Sequence, residues 1–391
     1  MPRLTIRNAR LAASRGDELH DIEIDADRIA AIRPATGAPA VDAGDLDAAG
    51  RVLLPGFVDC HTHACFAGSR LDEWERKLAG ASYLEIMHAG GGIMATVRAT
   101  RAAPEAELAE LLLARLNRML AHGSTTIEVK SGYGLDTETE LKMLRAIARA
   151  GETFAGTVVP TACIGHAIDP DVDRDRFIER TIRETLPAVT SEFPGIALDA
   201  YCEQGAWSLD DCLALFDAGQ AAGHPIRVHA DQFNALGMID AAVEHEYTSV
   251  DHLEATDPAG LERLAQSSTF GVMLPASGFH LDDRYGNGRA FLDAGGKLAL
   301  ATNCNPGSAP CGSMPFVIAL AVRKLGLTSA EAIHASTAAG ADLLGLGDRG
   351  RIEPAKRADL VLLEATDPRE LAFEFGGNPV AAVLVAGRWM Q

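Results

Sequence analysis

Positive charge is in short supply: 35 Lys and Arg stand against 54 Asp and Glu in 391 residues, a formal net charge of −19. That balance disfavours nonspecific binding to nucleic-acid phosphates or anionic lipid and points to a small-molecule ligand. No uninterrupted apolar run reaches the roughly 18 residues that would suggest a membrane span. The opening MPRLTIRNAR lacks the apolar region of a signal peptide, so the expected location is the cytoplasm. The seven cysteines are odd in number and never paired as C-x-x-C, which argues against a disulfide framework; they read as reduced thiols that mostly pack. No internal repeat of fixed period is present. The glycine run in AGGGIMATV lacks the Gly-Lys-Ser/Thr ending that brings an ammonium and a hydroxyl to phosphate, which excludes a phosphate loop. Its glycines are expected to shape a loop over a pocket.

What is present is enough apolar sequence, 47%, to bury one large core with a smaller second unit beside it. RLTIRNARLAAS and HDIEIDADRIAAIRPA alternate apolar and polar residues as half-buried strands do, and strand-like runs return in RIEPAKRADLVLLEA and PVAAVLVAGRWM. Between these ends, short apolar runs alternate with helical stretches: TTIEVKSG then TETELKMLRAIARAG, IALDAYCE then LDDCLALFDAGQAAG, IRVHADQ then GMIDAAVEHE. Strand-helix alternation predicts a parallel sheet, and about eight units in nearly 300 residues fit a (β/α)8 barrel, although an open doubly wound sheet predicts much the same local pattern. The expected division is a barrel over 56–355 and a β-rich accessory unit from 1–55 and 356–391.

In LLPGFVDCHTHACFAGSR, Asp59, His61 and His63 are spaced two apart just where an apolar strand ends. Residues i and i+2 of an extended chain face the same way, so the two imidazoles offer a metal-ligand geometry. Two ligands cannot hold a catalytic ion. His229 in RVHADQ, His252 in SVDHLEA and Asn303 in LALATNCNPGS also stand at predicted strand ends. Each alone reads as a structural His or turn Asn; together, on one barrel rim, they call for an ion.

With these residues in view the chain resembles the amidohydrolase superfamily and, within it, the imidazolonepropionase family. PGFVDCHTHACFAGSR, GGGIMATVRATR, TTIEVKSGYGLD, CEQGAWS, HADQ, DHL, NPGS and IEPAKRADLVLL follow the family in order over nearly the whole chain. The resemblance implies a distorted (β/α)8 TIM barrel with a small β-sandwich built from both chain ends. It implies one divalent or trivalent metal ion, Zn before Fe, held by His61, His63, His229 and position 303. It further implies a small anionic cyclic-amide substrate and a homodimer, with no nucleic-acid or membrane partner.

Position 303 departs from the family, which has Asp where this chain has Asn303. An amide oxygen can touch a metal but cannot take a proton at neutral pH as a carboxylate can. Three readings stand open: an introduced Asp-to-Asn substitution, which the intact flanking segments favour, a natural relative with altered chemistry, or a protein that binds without turnover. His252 is then the strongest remaining titratable group near the ion, and an imidazole suits proton transfer. Gln232 takes a substrate-binding role where many superfamily hydrolases carry Glu. Arg70 is expected to bind a substrate carboxylate, the bland alternative being a surface ion pair. Tyr133 and His166 match positions that contact the ring and propionate. Asn305, Gly307 and Ser308 form a turn that a ligand can approach closely, and Lys130 is expected to be an ordinary ammonium.

The implied reaction is hydrolysis of 4-imidazolone-5-propionate to N-formimidoyl-L-glutamate in histidine degradation. In the family form position 303 takes a proton and His252 stabilises the developing oxyanion. Two rivals remain: a relative that acts on a 2-thioxo or 2-oxo analogue, expelling sulfide from the thioxo compound, and a binding protein on an inactive scaffold.

Overall fold

The computed structural model describes residues 3–12, 18–37, 45–80 and 91–390. Five short strands come first: β1 (Leu4–Leu11), β2 (His20–Asp25), β3 (Arg28–Pro34), β4 (Leu46–Asp47) and β5 (Val52–Pro55). Eight parallel strands follow in chain order: β6 (Phe57–Asp59), β7 (Ser124–Lys130), β8 (Thr157–Gly165), β9 (Ala197–Cys202), β10 (Arg227–Ala230), β11 (Ser249–His252), β12 (Phe270–Met273) and β13 (Leu298–Leu300). Three more strands close the chain, β14 (Leu360–Leu363), β15 (Val380–Val385) and β16 (Arg388–Trp389).

The central eight form the barrel. In β7, Ile127 and Val129 join the hydrophobic layer beneath the helices, while Glu128 and Lys130 turn inward to buried partners on other strands, Arg227 and Asp199. Helix Thr137–Thr153 shows why the intervening segments are helical. Asp136 caps it by accepting the Thr139 N–H, and Met143, Leu144, Ile147 and Ala150, three or four apart, are buried. Burying each such Leu or Ile contributes roughly 1.5–3 kcal/mol.

Among the described residues β6 and β13 are not paired as strands. Their seam is bridged beyond the strand ends: the Asn303 N–H donates to the His61 carbonyl at 3.0 Å, and the Thr302 hydroxyl and N–H both donate to Asp59, at 2.6 and 3.0 Å. The barrel is therefore distorted where its first and last strands meet.

The terminal strands form a mixed sheet ordered β16-β15-β14-β5-β1-β2-β3, with β4 on β1. It folds over its own core of Ile6, Ile22, Ile24, Leu53 and Leu384 as a small sandwich. β14 lies antiparallel between β5 and β15, joining the end of the chain to the strand just before the barrel. Its alternation divides it: Leu360 and Leu362 enter the sandwich core, Val361 and Leu363 the barrel core.

Residues 81–90, which include the start of the glycine run, lie outside the described residues. Among those described, no helix is long and apolar enough to cross a membrane. All seven cysteines are free thiols.

Candidate active site

Three imidazoles converge at the strand ends. His61, His63 and His229 are buried, and each offers a ring nitrogen within 4.8 Å of the others. His63 Nε2 faces His229 Nε2 at 2.9 Å. His61 Nδ1 donates to Asp251 at 2.5 Å and His229 Nδ1 to Asp199 at 2.9 Å, which leaves the lone pair of each ring on Nε2. Burial pushes His61 and His63 well below the ordinary imidazole range, helped by the charge of Lys130 at His61 and by His166 at His63. Burial also lowers His229, against the pull of Asp199. Neutral imidazoles are the form a metal requires.

Asn303 lines the same cavity as His63 and His229. Its φ of +54° lies in the left-handed region. Its Nδ2 donates to Ser277 Oγ at 2.8 Å, so the amide oxygen is the atom left over. That oxygen and His61 Nε2 are buried without a hydrogen-bond partner among the described residues. Orphaned buried acceptors and converging imidazole lone pairs are what a cation satisfies, so the donor set fits a metal ion.

A buried charge network lies beneath. Lys130 bridges Glu128 and Asp199 at 2.7 Å each, and Arg227 bonds Asp251 and the Cys60 carbonyl at 2.8 Å each. Burial and Arg227 oppose the Lys130 charge, but Asp199 and Glu128 outweigh them and raise its pKa, so it is an ammonium. Cys163, Asp199 and His229 also cluster, but Asp199 is committed to Lys130, and burial raises the Cys163 thiol far from its thiolate form.

Above the imidazoles opens a cavity of about 810 Å³. His63, His229, Asn303 and His252 line it, as do Arg70, Tyr133, His166, Gln232, Asn305, Gly307 and Ser308; His61 sits beneath. His166 stacks on His63, donates Nδ1 to the Gly132 carbonyl at 2.9 Å, and is lowered to about 4 by burial and then by His229. Gln232 Oε1 accepts the Tyr201 hydroxyl at 2.8 Å. The Asn305 amide shapes its own turn, accepting the N–H groups of Gly307 and Ser308 at 2.8 and 2.7 Å. Arg70 donates Nε to Glu73 at 2.6 Å and Nη2 to the other oxygen of that carboxylate.

Asp199, Asp251, Ser277, Tyr201 and Glu73 were not singled out by sequence reasoning. A signal existed for two of them, since IALDAYCE and SVDHLEA each carry a carboxylate inside an otherwise apolar strand. Glu73 and Ser277 carried none.

The profile of the Amidohydrolase family matches residues 52–390. The chain is 43% identical over 399 residues to the imidazolonepropionase of Herpetosiphon aurantiacus, spanning 99% of this chain and 93% of that protein. It is 45% identical over 341 residues to that of Deinococcus radiodurans, spanning 87% and 84%. Among solved structures, 5-methylcytosine deaminase from Klebsiella pneumoniae superposes with a TM-score of 0.79 at 17% identity, covering 100% of this chain and 97% of that one, a likeness of fold.

Proposed function

The chain belongs to the amidohydrolase family and, within it, to the imidazolonepropionases, and from that membership we propose a division of labour among its cavity residues. The protein is an amidohydrolase that opens the cyclic amide of imidazolonepropionate in histidine degradation. The observation that carries the residue assignments is the convergence of three buried imidazoles, two turned by carboxylates, under a cavity that Arg70 also lines.

His61, His63 and His229, with the Asn303 oxygen as fourth donor, would hold one divalent cation; nitrogen-rich ligation suits zinc first and iron second. When bound, such an ion supplies Lewis acidity, polarising an amide carbonyl and making water more acidic. Arg70 anchors the propionate through the side of its guanidinium that Glu73 leaves open. Tyr133 and His166 flank the ring. Gln232, its oxygen held by Tyr201, turns its N–H donors toward the substrate. His252 stands at the reacting carbonyl, and the turn at Asn305, Gly307 and Ser308 closes one wall. Water adds to the ring carbonyl, the C–N bond breaks, and N-formimidoyl-L-glutamate forms as the ring nitrogen takes a proton.

We also place the division between catalytic barrel and accessory unit at 55/56 and 355/356, in a cytoplasmic homodimer; sedimentation analysis reads the assembly state. Zinc-loaded protein and its Asn303→Asp variant are to be assayed for loss of imidazolone absorbance, with metal content measured alongside. Turnover with one metal per chain is expected. A metal-loaded Asn303→Asp protein that is inert, or that only releases sulfide from a thiohydantoin propionate, overturns the reading.

A further inference from the structure

Two of the carboxylate-histidine pairs in this barrel orient the imidazoles that face one another, but a third serves His252, which is outside that set. Glu254 Oε1 lies 3.2 Å from His252 Nδ1, with side chains only 6% and 3% exposed. The second oxygen of Glu254 is buried without a partner among the described residues. His252 lines the cavity.

The backbone that makes this pair is strained. His252 has φ +95° and Leu253 φ +72°, two successive side-chain-bearing residues in the left-handed region. Neighbouring loop backbone holds the turn: the Leu253 N–H donates to the Ala230 carbonyl at 3.3 Å and the Ala255 N–H to the Asp231 carbonyl at 2.7 Å. Glycine would make such a turn without strain. The chain instead keeps an imidazole and a leucine there, with the carboxylate of Glu254 directly after them.

We propose that Glu254 is a positioning residue that holds His252 in the Nδ1–H form, so that its Nε2 lone pair faces the substrate and serves as the proton acceptor in this chain. The proposal rests on the hydrolytic reading above. Asn303 cannot accept a proton, and its Nδ2 is tied to Ser277. The step balances without an outside reagent. A water proton passes to His252 Nε2 as the water oxygen bonds to the ring carbonyl carbon; the C–N electron pair then leaves to the ring nitrogen, which takes that proton and regenerates His252. Glu254 stays a carboxylate throughout.

The test uses zinc-loaded, full-length protein labelled with 15N at histidine, the His252 resonances being identified by their loss in His252→Gln. His252 is expected as the Nδ1–H tautomer in the wild type, as a tautomer mixture in Glu254→Ala, and as Nδ1–H again in Glu254→Gln, whose amide oxygen can accept the same bond. In turnover of imidazolonepropionate, Glu254→Ala should lose about 10- to 100-fold in kcat with KM little changed, and Glu254→Gln should recover most of it. A tautomer unmoved in Glu254→Ala overturns the proposal whatever the turnover. Loss confined to KM does so too. A wild type and an Asn303→Asp variant that are both inert, with the tautomer shift still present, remove the hydrolytic reading and leave the positioning role standing.

Discussion

Glu73 grips Arg70 from behind: its carboxylate takes Nε at 2.6 Å and Nη2 beside it, and also accepts the Gly92 N–H at 2.8 Å. Nη1 donates to the Thr96 hydroxyl at a long 3.5 Å and borders the cavity, where a Cβ on Gly307 would come within 3.1 Å of it. A guanidinium can serve two carboxylates on two edges, and an ammonium cannot reproduce that fork. Arg70→Lys should therefore raise KM about 10- to 100-fold with kcat nearly unchanged, the mark of lost uniform binding, as steady-state kinetics will show.

Asn303→Asp tests the fourth donor. Ser277 Oγ now accepts from the amide; a hydroxyl can instead donate, so a carboxylate fits without repacking. A charged donor should tighten metal binding and add a second proton acceptor, raising kcat at least about tenfold. Metal titration and kinetics check both, and a fall in both would show that this site is built for an amide.

Metal should stabilise the fold, because the three imidazoles meet only in the native state. At metal a hundredfold above its Kd, unfolding should cost about 2.7 kcal/mol more than in chelator. Thermal melts with and without metal will measure this. His63→Ala should lose the increment while keeping the metal-free melting temperature within a few degrees.

Lys130→Met strands Glu128 and Asp199 as buried carboxylates lacking their shared ammonium. Removing one partner of a buried charge pair costs about 3–5 kcal/mol, here partly offset because Arg227 still reaches Glu128 at 3.3 Å. Denaturant unfolding should show a loss of about that size, with metal affinity lowered as Asp199 loses its anchor.

Burial pushes the Cys65 and Cys304 thiols up to about 12. The thiolate is the reactive form, so neither should label with a maleimide near neutral pH in native protein, and both should label once the chain is unfolded. Mass spectrometry of labelled peptides distinguishes the two states.

His61 and His63 on one face, and the polar ends of the later strands, could be read from the sequence because they depend on local periodicity: two residues per repeat in a strand, and a helix after each strand. The same local reading gave a parallel α/β middle between β-rich ends, and the family resemblance chose the barrel over an open doubly wound sheet. Family resemblance then supplied Arg70, Tyr133 and His166, which no spacing argument singled out, and all of them line one cavity.

The supporting atoms are another matter. Asp251 lies 190 residues from the His61 it orients, and Glu73 reads locally as a surface ion-pair partner until Gly92 closes on it. Chain order determined which residues sit at strand ends and which way they face, because backbone geometry is local. Only the closed barrel decided which carboxylate meets which imidazole and which amide oxygen is left without a partner, because those contacts depend on strands brought together across the fold.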